Sequence, residues 1–243
     1  MHHSSLKKHM YYVDDSGYIQ DDAIVYVGAT LRVTLLLRRD ILMLSRWVRT
    51  WYGKLLRPFL LLLARLGITP HMLTISSLLL MSITGFLLSQ NYIFIGAIFL
   101  LLGGLLDGID GELARVTNRA TKFGAFLDSI CDHCGDFALS LGLLWQYLHV
   151  GASTEVVLIF VALFGSMFGS QVRSRAGMVG IDTKDVGLAT RFERNLILII
   201  ALFIRQIPIV LWILAVINNI VALQRVVYTV HVALLQKRAS VVE

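Results

Sequence analysis

Long apolar stretches without charged side chains dominate the chain from His71 onward. Residues 71–106 contain no Asp, Glu, Lys or Arg, and the polar residues Ser89, Gln90 and Asn91 interrupt this stretch near its middle. Each half is about as long as a membrane-spanning helix, which needs roughly 17 to 25 residues. The pattern predicts two transmembrane helices joined by a tight turn.

Four more apolar segments repeat this pattern without any formal charge: residues 137–154, 156–172, 195–204 and 207–224. The last two are broken near Pro208, which lacks a backbone donor and bends the chain. The fifth segment reaches across a bilayer only if its helix begins near Val186. The sequence therefore predicts an all-α, polytopic membrane protein with six transmembrane helices.

The Lys and Arg residues lie in alternate connections between these spans. Of the 22 cations, 21 fall on one side of the six-span arrangement, and only Arg205 falls on the other. Because cationic loops stay in the cytoplasm, we expect both termini to be cytoplasmic. The protein is expected in the cell membrane, with its cation-rich side facing the cytoplasm.

The region before the first span has a different pattern. Residues 41–66 place five cations among Leu, Trp and Phe, which is typical of an amphipathic helix on the membrane surface. The sequence thus predicts an N-terminal cytoplasmic extension, an amphipathic juxtamembrane helix, a six-helix domain and a C-terminal tail. Their predicted bounds are residues 1–40, 41–70, 71–238 and 239–243.

Composition and charge agree with a membrane protein. Hydrophobic residues make up 56% of the chain and charged residues 16%, against roughly 25% charged in soluble domains. The net charge of +6 would suit nucleic acid, but the cations are distributed between apolar segments instead of forming one basic face. We therefore expect no nucleic-acid partner, and the composition excludes most soluble enzymes.

Four aspartates stand where the second predicted span ends and the third begins. Asp107 and Asp110 are three residues apart, and Asp128 and Asp132 are four apart. Residues at these spacings share one face of a helix. Four carboxylates at close range need a counter-charge, and oxygen ligands favour Mg2+ or Mn2+. We expect two divalent ions, Mg2+ or alternatively Mn2+, because a pair of ions can clamp a phosphoryl group and its leaving oxygen.

The acids belong to the longer pattern Asp107-x2-Asp110-Gly111-x2-Ala114-Arg115-x8-Gly124-x3-Asp128-x3-Asp132. This pattern resembles the signature of the CDP-alcohol phosphatidyltransferase family, and all eight signature residues stand at the family's intervals. Residues 67–74 also resemble the start of the family's first span, although His71 stands where asparagine is common. The likeness covers about residues 46–238.

The resemblance implies an enzyme that moves the phosphatidyl group of a CDP-linked lipid, such as CDP-diacylglycerol, to an alcohol and releases CMP. It implies that Asp132 is a metal ligand, together with the other three acids, and the general base for the acceptor hydroxyl. The residues expected against the CDP-lipid are Gly111, Ala114, Arg115, Thr121 and Gly124. A homodimer is also expected from the resemblance.

Arginines near the fourth, fifth and sixth spans bear on the acceptor alcohol. Several guanidinium groups favour a doubly charged phosphate, so the resemblance implies a phosphorylated acceptor. The expected phosphate ligands are Arg173, Arg175, Arg191, Arg194 and Arg225. Within the family the chain is most similar to prokaryotic phosphatidylinositol-phosphate synthases, whose acceptor is inositol 1-phosphate. Glycerol 3-phosphate, and hence phosphatidylglycerophosphate synthesis, is the alternative.

A divalent-cation transporter is the alternative outside this class, since intramembrane carboxylates also line ion paths. A transporter is expected to carry its acids near the bilayer midplane, often in related halves of the chain. Here the acids cluster toward the cytoplasmic ends of the spans, beside arginines, and the sequence holds no second copy of the cluster. This placement favours the enzyme.

One further acid, Asp136, follows Asp132 by one helical turn and falls outside the signature. We expect it either to face an aqueous cavity or to accept a hydrogen bond behind the metal ligands.

Overall fold

The computed structural model of the protein describes residues 57–183, 186–187 and 190–242, with side chains described through residue 236. These residues form seven helices and no strand, so the all-α prediction is confirmed for this part of the chain. The helices are α1 (residues 57–65), α2 (Pro70–Ser89), α3 (Ile93–Val116), α4 (Lys122–Val150), α5 (Ser153–Met178), α6 (Arg191–Ile204) and α7 (Ile207–Val242).

At the N-terminal side, two predicted segments fall wholly or partly outside the described residues. These are the N-terminal extension, residues 1–40, and the part of the juxtamembrane helix before residue 57. Residues 57–65 of that helix are helical. At the other end α7 continues to Val242, past the residue at which the sequence placed the end of the domain. No Gly or Pro follows residue 208, so no helix-breaking residue stops α7 earlier.

Capping residues fix where the helices begin and end. Thr121 caps α4, because its hydroxyl accepts a hydrogen bond from the backbone N–H of Gly124 at 3.0 Å. Gly151 ends the same helix in the left-handed conformation, with φ 73°. Thr190 and Glu193 form a reciprocal capping box at the start of α6. That box starts α6 just before its two cavity-facing arginines.

Four helices within the described part of the chain are long and apolar enough to cross a membrane: α2, α3, α5 and residues 207–236 of α7. Helix α4 has 29 residues but carries Asp128, Asp132 and Asp136 in its first half. Helix α6 has 14 residues, which rise about 21 Å, less than the roughly 30 Å hydrocarbon core. It begins at Arg191, not near Val186, because Thr190 caps it.

Small residues let the backbones of α2 and α4 touch. Helix α2 packs against both α3 and α4, and α5 packs against α7. A Cβ atom added to Gly85 of α2 would overlap the backbone carbonyl of Ala138, and one added to Gly142 of α4 would overlap the carbonyl of Gly85. Close approach through small residues is a common way to pack helices in membranes. Helix α2 thereby holds α3 and α4, which carry the acids, in one arrangement.

We expect Gly85→Ala to destabilise the protein by about 1–3 kcal/mol, the usual cost of overpacking, because the added methyl group meets backbone that cannot rotate away. The matched control is Gly104→Ala in α3, where an added Cβ meets no atom within 4 Å. Thermal unfolding of both variants in detergent measures the difference. Equal melting temperatures would contradict the close contact.

Candidate active site

Three acids lie together where the C-terminal end of α3 meets the N-terminal end of α4. One carboxylate oxygen from each of Asp107, Asp110 and Asp128 lies within 4.8 Å of the others. Three carboxylates at this spacing match the oxygen ligands that Mg2+ and Mn2+ prefer. The donors and their spacing therefore fit a divalent ion.

Asp110 is the most buried of these acids, with 5% of its surface exposed. Its Oδ2 accepts a hydrogen bond from the Thr74 hydroxyl of α2 at 2.6 Å. Thr74 itself is 5% exposed, so the contact is shielded from water and fixes the orientation of the carboxylate. Thr74 is a site residue that the sequence analysis missed, since nothing in its local pattern points to an acid in the next helix.

The fourth acid, Asp132, is paired with an arginine from α6. Arg191 Nη1 hydrogen bonds to Asp132 Oδ1 and to Asp107 Oδ2, the second at 3.2 Å. Arg191 Nη2 donates to the carbonyl of Asp132 at 3.1 Å and to Asp136 Oδ1 at 3.3 Å. Arg191 thus connects both acid-bearing helices. One guanidinium cannot balance five neighbouring carboxylates, so the site retains a need for further cations.

Beside the acids lies a cavity of about 770 Å3, within the range of small-molecule sites. It is lined by α4, α5, α6 and α7. Asp128 and Asp132 reach it from the acid cluster. Four of the five predicted acceptor arginines also line it: Arg173, Arg191, Arg194 and Arg225. Asp128, Asp132 and these four arginines therefore face one space.

Two arginines of the predicted set differ from the others. Arg175 is exposed at the end of α5 and is not among the residues that line the cavity. Arg225 lines it but also donates to the backbone carbonyls of Gly169 at 2.8 Å and Val186 at 3.1 Å. Arg225 thus ties α7 to α5 and to the segment before α6.

The residues predicted to contact the CDP-lipid lie outside this cavity, at the end of α3 and the start of α4. Arg115 is exposed and forms an ion pair with Glu112, Nη2 to Oε1 2.7 Å. Thr121 is the N-cap of α4. A Cβ on Gly124 would lie 3.2 Å from the His71 ring, so the absence of a side chain there leaves room beside His71. Gly111 and Ala114 complete this set on the last turns of α3.

Comparison with known proteins identifies the family. A family model described as CDP-alcohol phosphatidyltransferase matches residues 67–235. The chain belongs to the CDP-alcohol phosphatidyltransferase family. Within this family it is 37% identical over 165 residues to the archaetidylinositol phosphate synthase of Pyrococcus horikoshii, covering 68% of this chain and 85% of that protein. It is 31% identical over 191 residues to the phosphatidylinositol phosphate synthase of Mycolicibacterium smegmatis, covering 73% of this chain and 85% of that protein.

Solved structures of a related phosphatidyltransferase resemble the fold. The Mycobacterium tuberculosis phosphatidylinositol phosphate synthase with CDP-DAG bound matches with a TM-score of 0.65 and 29% identity, over 71% of this chain and 92% of that one. The same enzyme in complex with manganese and citrate matches with a TM-score of 0.65 and 30% identity, over 71% of this chain and 87% of that one. The chain is therefore a phosphatidyltransferase of phospholipid synthesis, and it contains helices that are long and apolar enough to cross a membrane.

Proposed function

We propose that this phosphatidyltransferase moves the phosphatidyl group of CDP-diacylglycerol, or a related CDP-lipid, to inositol 1-phosphate and releases CMP. The observation that carries the proposal is that Asp128 of the three-acid cluster and the neighbouring Asp132 line one cavity together with four arginines. The acids suit divalent ions on a diphosphate, and the arginines suit the phosphate of an acceptor. The names of the relatives support the inositol phosphate acceptor.

Asp107, Asp110 and Asp128, with Asp132 as a further ligand, are proposed to hold two divalent ions. When bound, the ions would neutralise charge on the diphosphate and on the departing CMP. Manganese in the structure of the relative supports a divalent ion at this site. All four protein donors are carboxylates, and such donors also favour Mg2+, which we propose as the working ion.

Asp132 is proposed as the general base. Its carboxylate lines the cavity and contacts Arg191, so it is close to the group that would bind the acceptor phosphate. The acceptor hydroxyl gives its proton to Asp132 while its oxygen bonds to the phosphorus of the phosphatidyl group. The bond from that phosphorus to the CMP oxygen breaks, and CMP leaves with the electron pair. In-line positioning and charge stabilisation supply most of such an acceleration.

The cytidine nucleotide is proposed to bind against Gly111, Ala114, Arg115, Thr121 and Gly124. These residues lie within two turns of the acids along α3 and α4. A ligand there would have its diphosphate beside the acid cluster. The solved relative with CDP-DAG bound supports a CDP-lipid as the donor.

The acceptor is proposed to carry a phosphate held by Arg173, Arg191, Arg194 and Arg225. All four contribute to the wall of the same cavity, and guanidinium groups bind phosphate through paired donors. The fifth predicted ligand, Arg175, stays a prediction. Glycerol 3-phosphate carries the same phosphate group, so the four arginines alone do not discriminate between the two acceptors.

The membrane arrangement is proposed to comprise six spans, α2 to α7, in the cell membrane, preceded by the amphipathic juxtamembrane helix. The short α6 would cross where the bilayer is locally thinned. The distribution of Lys and Arg supports cytoplasmic termini and an active site that faces the cytoplasm. The family match over residues 67–235 supports a catalytic domain close to the predicted residues 71–238. The homodimer stays a prediction.

The test is CMP release by the purified protein in detergent, with a CDP-lipid and a panel of acceptors. The panel contains inositol 1-phosphate, glycerol 3-phosphate, serine and unphosphorylated inositol, each with Mg2+ and with EDTA. We expect Mg2+-dependent CMP release with inositol 1-phosphate and none with inositol. Faster release with glycerol 3-phosphate would identify it, in place of inositol 1-phosphate, as the acceptor. No acceptor-dependent release at all would contradict the proposed reaction.

A further inference from the structure

A chain of hydrogen bonds connects two arginines of the cavity through an acid that lies outside the family signature. Asp136 Oδ1 accepts from Arg191 Nη2 at 3.3 Å, and Asp136 Oδ2 accepts from the Ser166 hydroxyl at 3.4 Å. Ser166 in turn accepts from Arg194 Nη1 at 2.7 Å. Asp136 therefore contacts Arg191 directly and Arg194 through one hydroxyl group.

A second, smaller cavity of about 80 Å3 lies behind this chain. Asp136, Ser166, Arg194 and Asn218 line both cavities, so these four residues, here called the polar wall, separate them. The smaller cavity leaves space next to the Arg194 side chain that apolar groups do not fill. Packing alone therefore does not fix the position of its guanidinium, and hydrogen bonds must do so.

Few hydrogen bonds are available for that purpose. The Nε atoms of Arg191 and Arg194 are buried without a hydrogen-bond partner. Besides Ser166, Arg194 Nη1 has one further contact, Asn218 Oδ1 at 3.4 Å, and Asn218 is held by its own bond to the Ala162 carbonyl at 2.9 Å. The orientation of the Arg194 guanidinium consequently depends on the two contacts of its Nη1, and that of Arg191 on the contacts of its Nη atoms with Asp107, Asp132 and Asp136.

Charge makes Asp136 the important member of this network. Arg191 and Arg194 are three residues apart at the start of α6, so their positive charges lie on one helix face and repel each other. The other acids that contact Arg191 are Asp107 and Asp132, both proposed metal ligands. Asp136 is not one of these, so it can keep its contact with Arg191 while they bind metal.

We propose that Asp136 is a positioning residue that holds Arg191 and Arg194 as a pair for the phosphate of the acceptor. The inference rests on the proposed function and adds a residue to it. The negative charge of Asp136 also has an opposing effect on acceptor binding, because a carboxylate behind the arginines lowers their attraction for an anion. The direction in which the KM for the acceptor changes decides which effect is larger.

The test is Asp136→Asn, which keeps the size of the side chain and removes its charge. We expect the KM for inositol 1-phosphate to rise about tenfold or more, the size expected for losing a charge-assisted hydrogen bond. The kcat and the KM for the CDP-lipid should change by less than about threefold, because Asp136 touches neither the reacting atoms nor the nucleotide residues. Asp136→Glu, which retains the charge, should recover part of the acceptor KM.

A lower or unchanged acceptor KM in Asp136→Asn would overturn the proposal. So would a parallel fall of kcat, both substrates' binding and the melting temperature, since that is the result of a merely structural role. The failure of the proposed function is a different observation, namely wild-type protein that releases no CMP with any phosphorylated acceptor.

A second pair of variants decides the matter if Asp136→Asn does not fold. Ser166→Ala removes the hydroxyl between Asp136 and Arg194, whereas Ser166→Thr keeps it. We expect the acceptor KM to rise by about threefold or more in the alanine variant, as for a single lost hydrogen bond, and to stay near the wild-type value in the threonine variant. Equal acceptor KM values in the two variants would overturn the link between Asp136 and Arg194.

Discussion

Asp132→Asn is expected to lower the kcat for CMP release by about 10²- to 10⁴-fold, the contribution typical of a general base. The substitution keeps the shape of the side chain but replaces the basic carboxylate by a neutral amide, which cannot take up the proton of the acceptor hydroxyl. The KM for the CDP-lipid should change little, because the three acids whose carboxylate oxygens cluster, Asp107, Asp110 and Asp128, all remain. Steady-state assays with both substrates varied provide these values.

Asp132→Asn also weakens the ion pair between Asp132 and Arg191, so a single rate measurement does not separate the two effects. Loss of the base lowers kcat even with saturating acceptor, whereas a displaced Arg191 raises the KM for the acceptor. The two effects therefore separate in one data set. Glu155→Gln, in the first turn of α5 and away from the acid cluster, is the control for removing a membrane-helix carboxylate. A kcat within about threefold of wild type in Asp132→Asn would remove Asp132 from the role of base, whose loss costs far more.

The helices were predictable because each is defined by local sequence. Apolar stretches predicted the long helices, and Pro208 marked the break after α6. Helix α6 ends at Ile204, with Arg205 in the left-handed conformation at φ 56°. The start of α6 required the capping box of Thr190 and Glu193. An apolar pattern does not reveal such a box, so the predicted span extended too far toward the N-terminus.

The grouping of the acids was predictable from helical spacing, but their partners were not. Arg191 is 84 residues from Asp107 and 59 from Asp132 in sequence. Thr74 is 36 residues from Asp110. Contacts over such separations depend on how α2 and α6 pack against α3 and α4, and a single sequence has no periodic signal for that packing.

Helical spacing in the sequence bears on two of the predicted arginines. Residues two apart on an α-helix point about 200° apart around its axis. This spacing favours only one of Arg173 and Arg175 facing a given cavity from within α5, and of the two the structure places Arg173 in the lining. The role of Arg175 as a phosphate ligand stays a prediction.

Asp110→Asn is expected to weaken Mn2+ binding by more than about 100-fold, since even partners outside the ligand set cost 10- to 100-fold. Asp110 is the buried member of the three-acid cluster, and an amide in its place supplies a neutral oxygen and less compensation for the ion's charge. CMP release should fall with it, because the diphosphate loses its counter-charge. A titration of the purified protein in detergent with Mn2+, in which electron paramagnetic resonance quantifies the free ion, measures the affinity independently of turnover.

The Thr74 hydroxyl offers a graded version of the same experiment. Thr74→Val removes the 2.6 Å hydrogen bond to Asp110 and leaves all four acids in place, so we expect a loss of Mn2+ affinity of about 10- to 100-fold. Thr84→Val is the matched control, because Thr84 is equally buried in α2 but bonds only to the Leu80 carbonyl of its own helix. Equal Mn2+ affinity in the two valine variants would show that the hydroxyl does not orient Asp110. Unchanged affinity in Asp110→Asn would contradict the metal site itself, since the buried acid would then contribute nothing to ion binding.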